Sequence, residues 1–263
     1  MKRKIYNVLP NMILSGDNVS RVKAKGGISR ELPYEVEVIA ENLYVPWAID
    51  ISNEGKLYIT TGDAGNSALA QNITSTAGKI LRIELDGSIP EDNPNVNSPV
   101  YSLGHRNPQG LAWSLRNILY ASEHRQTAHD EINIIQREAN YGWPLVQGNE
   151  DSKEIIVQKP LIHSGEETWA PSGIAFVDQE PWQGKLLVAT LRGEQLLTIS
   201  LNRKGTKVNS LDLWLKNRYG RLREIIQGKD GGIYLTTINR DGRGNSNIGD
   251  DRIIRIIPSK SNI

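Results

Sequence analysis

The sequence predicts an all-β protein, a β-propeller with four blades. Three observations carry this expectation. A unit of strand, tight Gly or Asn turn and second strand recurs four times along the chain. Each unit runs on into a third segment in which polar and apolar residues tend to alternate, as half-buried strands do. A shorter fourth run then precedes the next unit. Four strands per unit, repeated radially, build sheets around a central channel. A β-sandwich would share the regular turn spacing. The pieces common to several units, Pro-x-Gly-apolar-Ala at 108–112 and 171–175 and Gly-Lys-Leu at 55–57 and 184–186, favour the propeller.

The first strand pairs are expected at 45–51 with 57–60, 107–113 with 118–121, 170–176 with 185–189, and 222–226 with 233–236. The third runs are 79–85, 131–135, 195–201 and 252–257; the fourth are 100–103, 160–163 and 211–215. The last unit has no fourth run after it. The alternating stretch 34–40, ahead of the first unit, is therefore expected to pair with 252–257 and close the ring. This divides the chain into a flexible N-terminal tail over 1–33, one propeller over 34–258 and a C-terminal tail over 259–263.

Composition excludes several classes of function. With 263 residues, 38% hydrophobic and 23% charged, the chain is too apolar to be disordered. Lys+Arg 31 against Asp+Glu 30 gives no electrostatic reason to expect nucleic acid or an anionic membrane as a partner. The absence of Cys excludes disulfides, thiolate metal sites and cysteine nucleophiles. Lys2, Arg3 and Lys4 resemble the basic start of a secretion signal, but Asn7, Pro10 and Asn11 interrupt the run that follows. No stretch approaches the ~18 apolar residues of a membrane span. Nothing in the pattern sets an oligomeric state.

Strand alternation puts the second-to-third loops on the same face as the connections between blades. That rim is rich in arginine: Arg106, Arg125, Arg192, Arg221, Arg223, Arg240 and Arg243. Converging guanidinium forks suit a planar anion with several carboxylates, through bidentate hydrogen bonds. Asp63, Asp130, Glu131, Asp241, Asp250 and Asp251 offer hard-oxygen ligands, although none has EF-hand spacing. The four histidines show no zinc motif, and Ser102 and Ser172 lack a nucleophile elbow.

Several strings resemble the soluble sugar dehydrogenases that use pyrroloquinoline quinone (PQQ), the glucose/sorbosone dehydrogenase family. They are Gly-Lys-Leu-Tyr-Ile-Thr-Thr-Gly-Asp-Ala-Gly-Asn (55–66), Gly-Lys-Ile-Leu-Arg-Ile-Glu-Leu-Asp-Gly-Ser-Ile-Pro-Glu-Asp-Asn-Pro (78–94), Leu-Gly-His-Arg-Asn-Pro-Gln-Gly-Leu-Ala-Trp (103–113), Asp-Glu-Ile-Asn-Ile-Ile (130–135), Asn-Tyr-Gly-Trp-Pro (140–144), Ala-Pro-Ser-Gly-Ile-Ala-Phe (170–176) and Arg-Leu-Arg-Glu (221–224). The resemblance implies a six-bladed ancestor, a sugar substrate, PQQ and calcium as cofactors, and an extracytoplasmic location. It implies hydride transfer from a sugar carbon to the quinone while an imidazole takes the hydroxyl proton. By position, Arg106, Asn107, Arg192, Arg221 and Arg223 resemble cofactor-binding residues, and Asp63 resembles the carboxylate that orients the base. The loop at Arg125 and Gln126 resembles one whose carbonyls bind calcium. Asp130, Glu131 and Tyr141 resemble a second, structural calcium site, expected to bind more tightly because Arg125 repels an ion at the loop.

Two departures stand beside these matches. The strand at 57–60 is preceded by Tyr44-Val45-Pro46-Trp47-Ala48, a first-blade string, where the family places its base histidine. Against the family pattern about two blades are skipped, and the base with them. Where the family has Gly-Pro in the calcium loop, this chain has Arg125-Gln126. Two readings follow: a PQQ-dependent aldose dehydrogenase lacking its usual base, or a non-catalytic propeller that binds a ligand or partner on its arginine rim.

Overall fold

The computed structural model describes residues 39–40, 43–180 and 182–257. Among them, four antiparallel sheets follow one another along the chain. The first holds β1 (Pro46–Ile51), β2 (Leu57–Thr61), β3 (Lys79–Ile83) and β4 (Val100–Leu103). The second holds β5 (Pro108–Trp113), β6 (Leu119–Glu123), β7 (Glu131–Ile134) and β8 (Ile162–His163). The third holds β9 (Pro171–Phe176), β10 (Lys185–Thr190), β11 (Leu196–Leu201) and β12 (Val208–Trp214). The fourth holds β13 (Leu222–Gln227), β14 (Ile233–Thr237) and β15 (Ile253–Ile256). The first turn of every sheet contains a residue in the left-handed region: Gly55 (φ 80°), Asn117 (φ 58°), Gly184 (φ 76°) and Gly231 (φ 76°). Only Gly, or Asn at a modest cost, adopts that conformation freely, so these residues set the hairpins.

Apolar residues that alternate along the strands meet between sheets. Tyr58 and Ile80 of the first sheet pack with Leu111, Leu119 and Ala121 of the second. Tyr120 and Ile132 of the second pack with Ile174, Leu186, Val188 and Leu197 of the third. Leu187, Ala189 and Leu196 of the third pack with Leu222, Ile225, Ile233 and Leu235 of the fourth. The inner strands β1, β5, β9 and β13 lie side by side in that order. Glycine makes this approach possible. A Cβ on Gly110 would sit 2.5 Å from the Ser172 carbonyl oxygen, and one on Gly173 would sit 2.8 Å from the Glu224 Cα. The repeated glycine of the Pro-x-Gly-apolar-Ala piece is thus the contact point with the next sheet. Gly110→Ala is expected to destabilise the fold by about 1–3 kcal/mol through overpacking, read as a lower urea midpoint at unchanged slope.

The second and third sheets each pack against a neighbour on either side. The first and last leave apolar residues in water, Ile49 66% exposed, Ile226 59% and Ile253 78%, and so does the outer strand of the third at Leu213 and Trp214. The segment 34–38, expected to pair with 252–257, lies outside the described residues, as do 1–33 and 258–263. The described end of that segment departs from the expectation. Ile39 and Ala40 form no strand and pack on Leu57, Ile59, Leu81, Ile83 and Val100 of the first sheet. Among the described residues, β15 pairs with β14 alone. The apolar outer face of the first sheet is what these two residues cover.

Candidate functional site

One backbone hydrogen bond, repeated in each sheet, builds the rim. It ties the second-to-third loop to the entry of the inner strand: Gly62 N to Val45 O (3.2 Å), His124 N to Asn107 O (3.0 Å), Leu191 N to Ala170 O (2.9 Å) and Ile238 N to Arg221 O (2.9 Å). Asp63 N reaches Arg106 O (2.8 Å), joining the first sheet to the second. The loops and inter-sheet connections therefore share a face, as strand alternation requires.

The candidate cofactor residues fall into three states. Arg223 of β13 donates through Nη1 to Gln109 Oε1 of β5 (2.6 Å) and Ser172 Oγ of β9 (2.8 Å), with its guanidinium 5.2 Å from the Trp47 ring of β1. One side chain thus touches all four inner strands. Arg106 sends Nη1 to the carbonyls of His124 (2.9 Å) and Arg125 (2.7 Å) and lies 6.0 Å from the Trp143 ring. Burial lowers its pKa. Arg221 is paired with Asp241 (2.9 Å); burial would raise the Asp241 carboxyl, but the Arg243 N–H and then Arg221 hold it below the usual range. Arg192 is exposed and has no protein partner among the described residues. Asn107 Oδ1 is buried without a hydrogen-bond partner. Arg106, Arg192 and Arg223 make no direct ion pair with a carboxylate among the described residues, although Asp63, Glu123 and Asp130 lie close enough to Arg106 to stabilise its charge.

Asp63 orients a ring, although not an imidazole. Its Oδ2 accepts the indole N–H of Trp143 (2.9 Å), and its Oδ1 accepts Gly65 N (3.0 Å). Trp143 in turn faces both Arg106 and Arg125. The two histidines nearest the rim differ. His105 is fully buried; Nε2 meets Ser102 Oγ (2.9 Å) and Nδ1 meets Glu123 Oε2 (2.8 Å). Neither nitrogen can reach a ligand. His124 keeps about a fifth of its side chain exposed, and its Nδ1 meets Asp130 Oδ1 (2.9 Å). Asp130 also accepts Arg125 N, Trp169 N and Ala170 N, each at 2.7 Å. With that many donors Asp130 acts as the acceptor, so His124 donates through Nδ1, and a neutral ring then has its acceptor lone pair on Nε2.

The residues expected to hold calcium do not fit it. Calcium needs six to eight oxygens at about 2.3–2.6 Å. Among the described residues no group of three or more acidic or imidazole side chains is disposed to hold a metal. The four N–H donors around Asp130 use its oxygens. Glu131 accepts Arg125 Nη2 (2.6 Å) on Oε2 and Gly148 N (3.0 Å) on Oε1. The Tyr141 carbonyl accepts Arg125 Nη2 (3.0 Å). At the loop, the Arg125 carbonyl already serves Arg106, and Gln126 is an exposed residue. The oxygens expected to bind calcium at Asp130, Glu131 and Tyr141 are thus engaged from within the chain: Glu131 and the Tyr141 carbonyl by the Arg125 guanidinium, and Asp130 by backbone N–H groups and His124.

Charges in this buried cluster are strongly coupled. Burial raises the Glu123 carboxyl, but Arg125, His105 and the Arg106 N–H outweigh it and bring the pKa from 4.5 to about 2. Burial raises Glu131 above its usual value and the nearby Glu123 adds to this, with Arg125 opposing. The residues missing from the sequence reading are Trp47, Gln109, Glu123 and Trp143. Gln109 and Trp143 lie inside the strings at 103–113 and 140–144, which is the signal that could have found them.

Among the described residues the chain is all-β, with three four-stranded sheets, one three-stranded sheet and an arginine-rich rim. Residues 41–254 match the glucose/sorbosone dehydrogenase family, and the chain belongs to that family. It is 32% identical over 247 residues to the aldose sugar dehydrogenase YliI of Escherichia coli, a match covering 86% of this chain and 64% of that protein. It is 35% identical over 174 residues to quinoprotein glucose dehydrogenase B of Acinetobacter calcoaceticus, covering 54% of this chain and 36% of that one. The PQQ-bound aldose sugar dehydrogenase of Streptomyces coelicolor superposes with a TM-score of 0.72 at 39% identity, over 80% of this chain and 61% of that one. The chain thus spans less than two thirds of the length of these relatives.

Proposed function

We propose that this protein binds PQQ on its arginine rim and acts on aldoses slowly. The observation that carries the reading is the unpaired charge of Arg106, Arg192 and Arg223. Several guanidinium groups in no direct ion pair with a carboxylate suit a ligand bearing carboxylates. Bound there, PQQ supplies a two-electron acceptor for hydride. Arg192 gives an open fork to one carboxylate, and the buried Asn107 amide can serve a polar ligand atom. Asp63 steadies Trp143 beside them. His124, held in one tautomer by Asp130, is the rim imidazole with an acceptor nitrogen free for the sugar hydroxyl proton. The string that carries the family base has no counterpart before Ile49, and loss of a positioned base typically costs about 10²–10⁴ in rate. The same reading puts the protein outside the cytoplasm. No helix among the described residues is long and apolar enough to cross a membrane.

One observation favours the second reading, a binding module without chemistry: His105, which lies in the Gly-His-Arg-Asn-Pro string, is sealed between Ser102 and Glu123. A quinone titration followed by absorbance separates the two. Binding is expected to saturate, to weaken as salt is raised, and to weaken about tenfold in Arg192→Ala, the value of one charge-assisted contact. Slow bleaching by aldose, lost in His124→Ala while binding persists, supports the enzyme; no bleaching supports the module. Affinity indifferent to both salt and Arg192 would overturn the rim as the site.

A further inference from the structure

We propose that Arg125 is a built-in cation that stands where the resemblance would put calcium, and that the fold is therefore independent of calcium. The side chain is 1% exposed and enters a cage whose other charged members are also buried. Nη2 binds Glu131 Oε2 (2.6 Å) and the Tyr141 carbonyl (3.0 Å), and Nη1 lies 3.4 Å from Glu123 Oε1. The Trp143 ring closes another side, 5.7 Å from the guanidinium carbon. Two carboxylates, a carbonyl and a π-face form a cation site by their chemistry, and the chain fills it from within. The fork does not fill it completely: Nε and Nη1 have no hydrogen-bond partner. The cage thus takes the charge of Arg125 more than its geometry. Arg106 repeats the device one loop away, on the carbonyls of His124 and Arg125. A tethered cation cannot dissociate, so the stability it gives does not depend on the concentration of any ion, unlike that of a bound metal.

The test is thermal melting of the full chain in EDTA and in millimolar calcium chloride. The wild type is expected to melt at the same temperature in both. Arg125→Gly empties the cage; it is expected to melt several degrees lower in EDTA and to recover progressively with calcium. Adding Glu131→Gln to that variant is expected to abolish the recovery. A wild-type melting temperature that rises saturably with calcium, with the rise lost in Glu131→Gln, would overturn the proposal. So would an Arg125→Gly variant that calcium does not rescue. This test involves neither quinone nor sugar, so its outcome is independent of the function proposed above.

Discussion

Arg125→Met is expected to destabilise the protein by about 3–5 kcal/mol, because removing one partner of a buried ionic cluster leaves the others uncompensated. Glu123 and Glu131 are 0% and 2% exposed, and methionine fills volume without charge. The pH dependence gives the effect a signature. In the wild type, Glu123 is depressed from 4.5 to about 2. A depressed carboxyl contributes stability that is complete above 4.5 and is lost as pH falls towards 2. Glu131, raised by burial, works in the opposite sense and is relieved as it protonates. Without Arg125 both carboxyls move upward, so acid relieves the variant while it weakens the Glu123 contribution in the wild type. Urea unfolding from pH 7 to pH 4 should show the gap between the two proteins narrowing as pH falls. A gap that stays constant would mean that Arg125 acts by packing alone.

Arg223→Ala is expected to cost about 2–4 kcal/mol, since charged hydrogen bonds contribute more than neutral ones and the acceptors left behind are buried. Gln109 is 7% exposed and Ser172 0%. The loss falls on the meeting point of the four inner strands, and leaves Gln109 Oε1 with only the long Ser172 hydroxyl contact (3.4 Å). Arg223→Lys should recover only part, because an ammonium can serve both acceptors but cannot lie over the Trp47 ring as a planar guanidinium does. Denaturant midpoints of the two variants would check this; full recovery in Arg223→Lys would mean that the contact with Trp47 contributes nothing.

Most strands were legible because two local rules agree. Alternation marks the half-buried faces, and left-handed Gly or Asn marks the hairpins, as at Gly55 and Asn117. The exceptions are tertiary. The strand expected at 160–163 shrinks to Ile162–His163, and the one expected at 211–215 starts earlier, at Val208, and stops before Leu215, whose φ is 59°. The rim was legible as a set of residues on one face, because strand direction fixes that face. The partners were not. Arg125 looks like a loop arginine in sequence, and only folding brings Tyr141 and Glu131 around it. Asp63 looks like a carboxylate with nothing to orient until Trp143, eighty residues on, arrives beside it. Arg223 reads in sequence as a cofactor contact, and only the fold adds Gln109, Ser172 and Trp47 as its partners. Side-chain direction at such positions is set by which sheets pack together.

The central claim is that cations fixed to the chain organise the rim, so that quinone binding needs no calcium and is separable from sugar oxidation. The most direct measurement is an absorbance titration of the purified protein with PQQ in EDTA, followed by addition of aldose to the saturated sample. The account predicts saturable binding in EDTA, unchanged by added calcium, and bleaching on addition of aldose that is slow at neutral pH. Binding that appears only with calcium, or rapid bleaching that survives His124→Ala, would contradict it.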